Sequence, residues 1–454
     1  MPNFDLALRG RVIFPDLILD DGWVGISGGK IVALGSRDAP ETAETYDPAR
    51  FTILPGVIDG QTHAGSFGGL DGIRAASRGA LSGGVTTMVD MPYDSPKALT
   101  TLEDLQLKRA KIDELAHCDF ALYGTVAKGQ GPAAVAELVA AGIVAFKISS
   151  FENDPIRFPR IPADEMMQLL EATAALDIPV GLHNEDQEIV RAAIARLKGE
   201  GKTTLEWFSD SRPVAAEMAA SAQFFELGLA TGARVHIVHF SADRGLELLA
   251  AYKAWGARAT AELCLPYLRF DAADYDKFGA RIKIGPPLRY GQREALWKRL
   301  LDGEVEFISS DHSGWPLGNR MTGSIFETGG GMPGLPTLLP AFYTMLEQRG
   351  LDAPRLCARF LSEGPARFFG IEPQKGAIRL GADADFAIVE HTPTVFDGDH
   401  ALDETGWSAF GGEQFAIRVA ATYLRGDKVY DGSSILNPAG SGRYVPAARV
   451  ANRP

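Results

Sequence analysis

Between residues 53 and 371 the chain repeats one pattern: a short β-rich apolar run, then a longer segment with helical periodicity. Eight such runs occur, at 53–58, 85–90, 121–126, 143–148, 178–183, 234–239, 258–263 and 306–311. Apolar runs separated by stretches long enough for a crossover helix specify parallel strands buried on both faces. Eight strand–helix units is the number that closes a barrel, so the expected fold is α/β, a (β/α)8 TIM barrel over 53–371. An open doubly wound sheet is the alternative. Among the connecting helices, Leu102 to Ala116 opens on Thr100-Thr101 as a cap with Asp104 as an early acid, and Pro213 to Leu229 and Ala242 to Trp255 are further examples.

Both ends of the chain have a different texture. Residues 1–52 read as short strands punctuated by turns, with Gly28-Gly29 as a hairpin signal, and the same texture returns over 372–454. Each end is too small to stand alone, so the two are expected to pair into one small composite β-sandwich. Residues 436–454, rich in Pro, Gly, Ser and Arg, read as a tail that packs on a neighbour or stays loose.

Composition narrows the function classes. The chain has 454 residues and a net charge of −13, which argues against a general nucleic-acid surface or an anionic membrane as partner. Three cysteines, Cys118, Cys264 and Cys357, give no disulfide framework and fit a reducing compartment. The start Met1-Pro2-Asn3-Phe4-Asp5 lacks a signal-peptide pattern, and no apolar run reaches the roughly 18 residues that span a bilayer. A cytoplasmic location is expected.

In such barrels the reacting groups sit at the C-terminal ends of the strands. Those positions here hold Gln61-Thr62-His63, Phe146-Lys147, Leu182-His183, Val238-His239 and Ser310-Asp311-His312. Each residue taken singly has an ordinary explanation: His63 could follow a turn, and His236 could be a core histidine. Histidines and a carboxylate converging on one rim are what a borderline metal such as zinc requires. Lys147 ends an apolar run, where a bare ammonium beside a cation is costly. Carbamylation by CO2 would make it an anionic ligand; otherwise it pairs with Glu185 or Asp311.

The ordered motifs Gly56-Val57-Ile58-Asp59, Gly83 to Pro92, Phe146-Lys147, His183-Asn184-Glu185, His236 to Ser241, Gly285 to Arg289, Ser310 to Ser313 and Gly381 to Asp385 resemble the cyclic amidohydrolases. That group comprises the hydantoinases and dihydropyrimidinases, the allantoinases and the dihydroorotases. The resemblance covers nearly the whole chain. It implies a hydrolase that opens a cyclic amide, imide or ureide with one or two divalent ions, zinc foremost and manganese as an alternative. It implies metal ligands at His63, Lys147, His183, His239 and Asp311, with N6-carboxylysine at Lys147 if two ions are bound. Asp311 would also be catalytic, moving the proton from the attacking water to the leaving nitrogen. Asp94, Ser149, Tyr267, Gly285 and Gly331 fall at substrate-side positions. A homo-oligomer, tetramer or dimer, is implied as well.

Several positions depart from the family pattern. Where the family has His-x-His, this chain has Gln61-Thr62-His63, and an amide oxygen is a weaker donor than imidazole. Three outcomes are open: Gln61 ligates through its carbonyl, the site holds one ion, or the inner site is lost. Ala64-Gly65-Ser66 offers no cation for an acidic substrate, and Cys264-Leu265-Pro266-Tyr267-Leu268 lacks the histidine that allantoinases carry there. Arg157, Arg160 and Arg289 are candidates for a substrate carboxylate, although Arg289 also suits a loop-supporting role. The leading expectation is a hydantoinase- or dihydropyrimidinase-like enzyme. Allantoinase-type ureide opening and a non-catalytic scaffold with a degenerate metal site are the alternatives.

Overall fold

In the computed structural model, which describes residues 4–41, 43–320 and 323–448, parallel strands follow one another around a cylinder in chain order. They are Val57–Thr62, Val85–Asp90, Asp119–Gly124, Ala145–Ser149, Val180–His183, Val235–Ile237 and Ala259–Ala261. The short strand Leu263–Cys264 then pairs in parallel with the eighth barrel strand, Ile308–Ser309. The eighth strand closes the ring against the first: Thr62 bridges His312, and the His63 amide donates to the His312 carbonyl at 3.0 Å. The closure places the ends of the first and eighth strands, and so Gln61, His63 and Asp311, side by side.

The run at 53–58 divides in two. Phe51–Pro55 pairs antiparallel with Phe386–Glu390 in the terminal sheet, and the barrel begins only at Val57. Gly56 makes the join, because a Cβ there would lie 2.2 Å from Thr86 Oγ1 and 2.9 Å from Asp385 Cβ. Periodicity cannot see such a break, since both halves are apolar and buried.

The composite β-layer is one continuous path of strands drawn from both chain ends. Leu6–Ile13, Ile18–Ser27 and Lys30–Ser36 come from the first end, and Phe386–Glu390, Arg418–Leu424 and Asp427–Tyr430 from the second. The path curls over its own apolar core, which contains Val24, Ile53, Phe386 and Ile388, until Ile31 and Ala382 meet through a backbone bond of 3.0 Å. Lys375 locks this layer to the barrel, its Nζ lying 2.6 Å from Asp119, 2.9 Å from Asp383 and 2.6 Å from Asp385.

The connecting helices end close to where their caps predict. Leu102–Leu115 starts in a capping box, with the Asp104 amide donating to Thr101 Oγ1 at 3.2 Å and the Thr101 amide donating to Asp104 at 2.9 Å. The tail differs from expectation. Up to residue 448 it is strapped to its own barrel: the Phe120 amide on the third barrel strand donates to the Arg443 carbonyl, the Val445 amide donates to the Phe120 carbonyl, and the Ala447 amide donates to the Gly142 carbonyl. Val445 and Ala447 are buried there, which explains the fixed path. Residues 449–454 lie outside the described residues. Among the described residues, no helix is long and apolar enough to cross a membrane.

Candidate metal and catalytic site

Gln61, His63, Lys147, His183, His239 and Asp311 all line one cavity of about 530 Å³ at the C-terminal mouth of the barrel. They form two facing sets. In the outer set His183 Nδ1 lies 3.2 Å from His239 Nε2. On its other side the His183 ring presents Nε2 to Glu185 Oε2 at 2.8 Å, and Arg212 holds that same oxygen at 2.5 Å. With Glu185 accepting the Nε2 proton, Nδ1 carries the lone pair that faces His239. Burial pushes both histidines below their usual pKa, so the rings are neutral donors.

This geometry fits a cation. Two imidazole nitrogens on one tetrahedral zinc, each about 2.05 Å from it, stand roughly 3.3 Å apart. His183 and His239 therefore already sit at ligand separation, and the carboxylate behind His183 is the partner that metal-binding histidines require.

The inner set is built differently. His63 Nε2 lies 3.4 Å from Asp311 Oδ1, and Gln61 donates from Nε2 to the same oxygen at 2.8 Å. An amide N–H cannot bind a cation, so this side is arranged as a hydrogen-bond donor and fits a second ion poorly. His63 is fixed by its neighbours: Thr62 Oγ1 and the Ala64 amide both donate to Asp90 Oδ1, at 2.7 and 2.8 Å. Asp311 adopts φ +52°, in the left-handed region where aspartate is among the few tolerated residues. That conformation is held from both sides. Ser310 donates through its amide and hydroxyl to Asp59, at 3.0 and 2.5 Å, and the His312 amide donates to Ser310 Oγ at 3.0 Å. Burial raises the Asp311 carboxyl, yet the His63 hydrogen bond and the nearby His239 and Lys147 outweigh it and hold the group below the usual carboxylate range.

Lys147 lies on the fourth barrel strand, fully buried, and among the described residues its Nζ forms no ion pair. Neither Glu185 nor Asp311 is its salt-bridge partner, since Arg212 already occupies Glu185. Burial pushes the ammonium down to about 8, against the opposing pull of Asp311, Glu262 and Cys264.

The substrate-side residues separate into two groups. Gly285 and Gly331 line the cavity. Gly331 sits at φ +111°, and a Cβ there would come within 2.6 Å of Ser313 Cβ, so the backbone itself forms that wall. Asp94, Ser149 and Tyr267 do not line it. Asp94 is buried behind Tyr93 on Lys108, at 2.9 Å, where the ammonium compensates the charge. Ser149 turns back to donate to the Phe151 carbonyl at 2.6 Å, and Tyr267 donates to the Pro286 carbonyl at 2.7 Å. Of the three arginines, Arg157 lines the cavity, Arg160 pairs with Glu188, and Arg289 donates to the Arg212 carbonyl and to Glu217, the latter at 3.0 Å.

Sequence reading missed Arg212, Trp315 and Lys283. Arg212 precedes the Pro213 that opens Val214–Thr231, and a cation fixed at a helix entry was the available signal. Trp315 packs against Phe67, ring centroids 4.0 Å apart and planes tilted by 40°, and lines the cavity. Lys283 donates to the Ile325 carbonyl at 2.5 Å and to Thr328, tying down the loop that forms the cavity roof. Nothing local in the sequence marks either contact.

Two other features do not compete with this site. Asp119, Asp383 and Asp385 bring three carboxylates within 4.8 Å of one another, but Lys375 already neutralises them. A cavity of about 650 Å³ beside Arg269 and Glu413 holds none of the residues above, and on its walls Arg269 pairs with Glu413 and Arg349 with Glu294.

A barrel with an imidazole pair at ligand spacing and a fixed carboxylate at its mouth is the framework of a metal-assisted hydrolase. Residues 52–429 match the amidohydrolase family, and the chain belongs to it, as a hydrolase of C–N bonds in cyclic amides. The chain is 34% identical to an allantoinase of Rubrobacter xylanophilus over 99% of both proteins. It is 32% identical to an allantoinase of Deinococcus radiodurans over 94% of this chain and 96% of that one. The L-hydantoinase (dihydropyrimidinase) of Arthrobacter aurescens superposes with a TM-score of 0.92 at 28% identity, covering 98% of this chain and 100% of its own.

Proposed function

We propose that this enzyme opens the five-membered ring of a cyclic ureide, the hydantoin ring that simple hydantoins and allantoin share. The observation that carries the reading is the His183–His239 pair, 3.2 Å apart in a cavity it shares with Asp311. A cavity of about 530 Å³ suits one small ring with a modest substituent. Likeness to both hydantoinases and allantoinases supports the shared ring.

His183 and His239 would hold the divalent ion, zinc by preference for two imidazoles. Once bound there, it supplies a Lewis acid that polarises the ring carbonyl and acidifies the attacking water. Asp311, held below the usual carboxylate range by His63, His239 and Lys147 and oriented by Gln61, accepts the water proton at its carboxylate. As the ring C–N bond breaks, Asp311 returns that proton to the leaving nitrogen. Glu185 holds the His183 tautomer, and the Gly331 backbone and Trp315 confine the ring. Carboxylation of Lys147 goes with occupancy of the inner set by a second ion. A tetramer or dimer is the assembly the resemblance implies, and the cysteine usage favours a cytoplasmic location.

Allantoin-type substrates are the favoured members of this class, because the full-length allantoinase relatives reach 34% identity and Glu152, Asn153 and Asp154 make the cavity rim polar. The test is a rate panel of hydantoin, 5-substituted hydantoins, allantoin, dihydrouracil and lactams with zinc added. Turnover concentrated on hydantoin rings supports the proposal. Turnover of dihydrouracil or lactams with none of any hydantoin ring overturns it.

A further inference from the structure

Gln61 is 1% exposed at the end of the first barrel strand, and both ends of its amide are engaged. Nε2 donates to Asp311 Oδ1 at 2.8 Å, and Oε1 faces the Cys264 thiol at 3.9 Å. These contacts fix the sense of the amide. Turned over, it would set its oxygen against a carboxylate oxygen, two acceptors at hydrogen-bond distance, and lose the bond to Asp311. His63 Nε2 approaches the same Asp311 oxygen at 3.4 Å, and the Gln61 N–H points to where a second ion would need a lone pair.

We infer that this chain works with one divalent ion, on His183 and His239, and that the Gln61 amide takes the place of a second ion by donating to Asp311. The inference rests on the hydrolase reading above. A second ion against Asp311 would have to reverse the amide and accept it as a neutral ligand, weaker than imidazole. Of Gln61, His63 and Asp311, only Asp311 would offer a dication an anionic side chain. The outer pair needs no reversal of a side chain, because its two ring nitrogens already stand at ligand separation and His239 has only to carry its proton on Nδ1. Gln61 is therefore a positioning residue, holding the Asp311 carboxylate without a metal. Lys147 has no second ion to bridge to and remains an unmodified amine.

The experiment uses the full chain, stripped with chelator, reloaded with excess zinc in bicarbonate buffer and desalted. Metal is then counted by elemental mass spectrometry, and Lys147 is read by native intact mass. The expected result is one zinc per chain and no added CO2 mass. Gln61→His should take up a second zinc together with the mass of one CO2. Gln61→Glu, which supplies an anion on a side chain of the same length, is a second route to that second equivalent if the histidine variant folds poorly. Two zinc ions per wild-type chain would overturn the inference, and with ring opening retained would leave the hydrolase reading intact. One zinc in the wild type and in both folded variants would overturn the role given to Gln61. No zinc in the wild type would overturn both readings.

Discussion

Single residues set the charge state of this site. Glu185 accepts a hydrogen bond from His183 while Arg212 holds the same carboxylate oxygen. Burial works against the ionised acid, but Arg212 and His183 prevail and hold Glu185 far below the ordinary carboxylate range. Glu185→Gln removes that anion while keeping the shape, so zinc affinity should fall about 10- to 100-fold. Competition with a chelating dye measures it, and an unchanged dissociation constant would contradict the role given to Glu185. Asp311→Asn leaves a group of the same shape that cannot take a proton, and kcat should fall about 10²- to 10⁴-fold. Steady-state kinetics at saturating zinc give that number; a variant within a few-fold of wild type would rule out Asp311 as the proton carrier.

The strand-end histidines, Lys147 and Asp311 were legible in the sequence because barrel register alone puts such positions at one rim. Asp94, Ser149 and Tyr267 do not line the cavity, because proximity in sequence to a strand end does not decide which way a side chain turns. Each found a partner within its own loop or an adjacent element: Lys108, the Phe151 carbonyl or the Pro286 carbonyl.

At the scale of elements, Lys108 connects the helix Leu102–Leu115 to the site. Its Nζ lies 2.7 Å from Asp90 and 2.9 Å from Asp94, and Asp90 in turn fixes the backbone around His63. Burial pushes the Asp94 carboxyl up to about 6, against Lys108, so the pair depends on the ammonium being present. Lys108→Met strands two buried carboxylates and should cost about 3–5 kcal/mol, read from urea unfolding. A loss below 1 kcal/mol would contradict the account.

The terminal sheet carries a pH-dependent element in Glu390, buried between Arg50 at 2.6 Å and Arg418 at 2.5 Å. Burial raises its pKa, but the two guanidinium hydrogen bonds outweigh that and hold it below the ordinary glutamate value. The native state thus binds this proton less readily than the unfolded chain. Its stabilisation is complete above the unfolded pKa near 4.5 and is lost as pH falls through the lower folded value. Wild type should melt above Glu390→Gln at pH 6, with the gap closing as pH drops below about 4.5. A gap that widens on acidification would reverse the sign and refute the assignment. Helix boundaries such as 102–115 were readable because caps and periodicity agree there. The division at Gly56 was not, since two consecutive apolar strands belong to different sheets and only the close approach of Thr86 and Asp385 reveals the turn.

Over the whole molecule, the barrel, the terminal sheet and the tail are joined by a few buried contacts. Lys375 draws Asp119 of the third barrel strand to Asp383 and Asp385 beside the sheet, and residues up to 448 run back along that same barrel strand. Removing 437–454 uncovers the edge at Phe120, and the shortened chain should show a lower Tm and an increased tendency to aggregate. A truncated chain with wild-type melting would show that the strap is dispensable. Eight strand–helix units made the barrel legible from sequence. The strap was not, because its Pro- and Gly-rich composition resembles that of an unattached tail, and its anchors are mostly backbone bonds, such as those of Gly440 and Gly442 to Ala116, that no residue type announces.

The central claim is that a cation on His183 and His239 operates ring opening at the barrel mouth. The most direct measurement is the rate of hydantoin and allantoin ring opening before chelation, after chelation, and after stepwise return of zinc. The account predicts a fall to the uncatalysed background and recovery on zinc return, with no recovery in His239→Ala. A rate indifferent to chelation, or full recovery in His239→Ala, would contradict it.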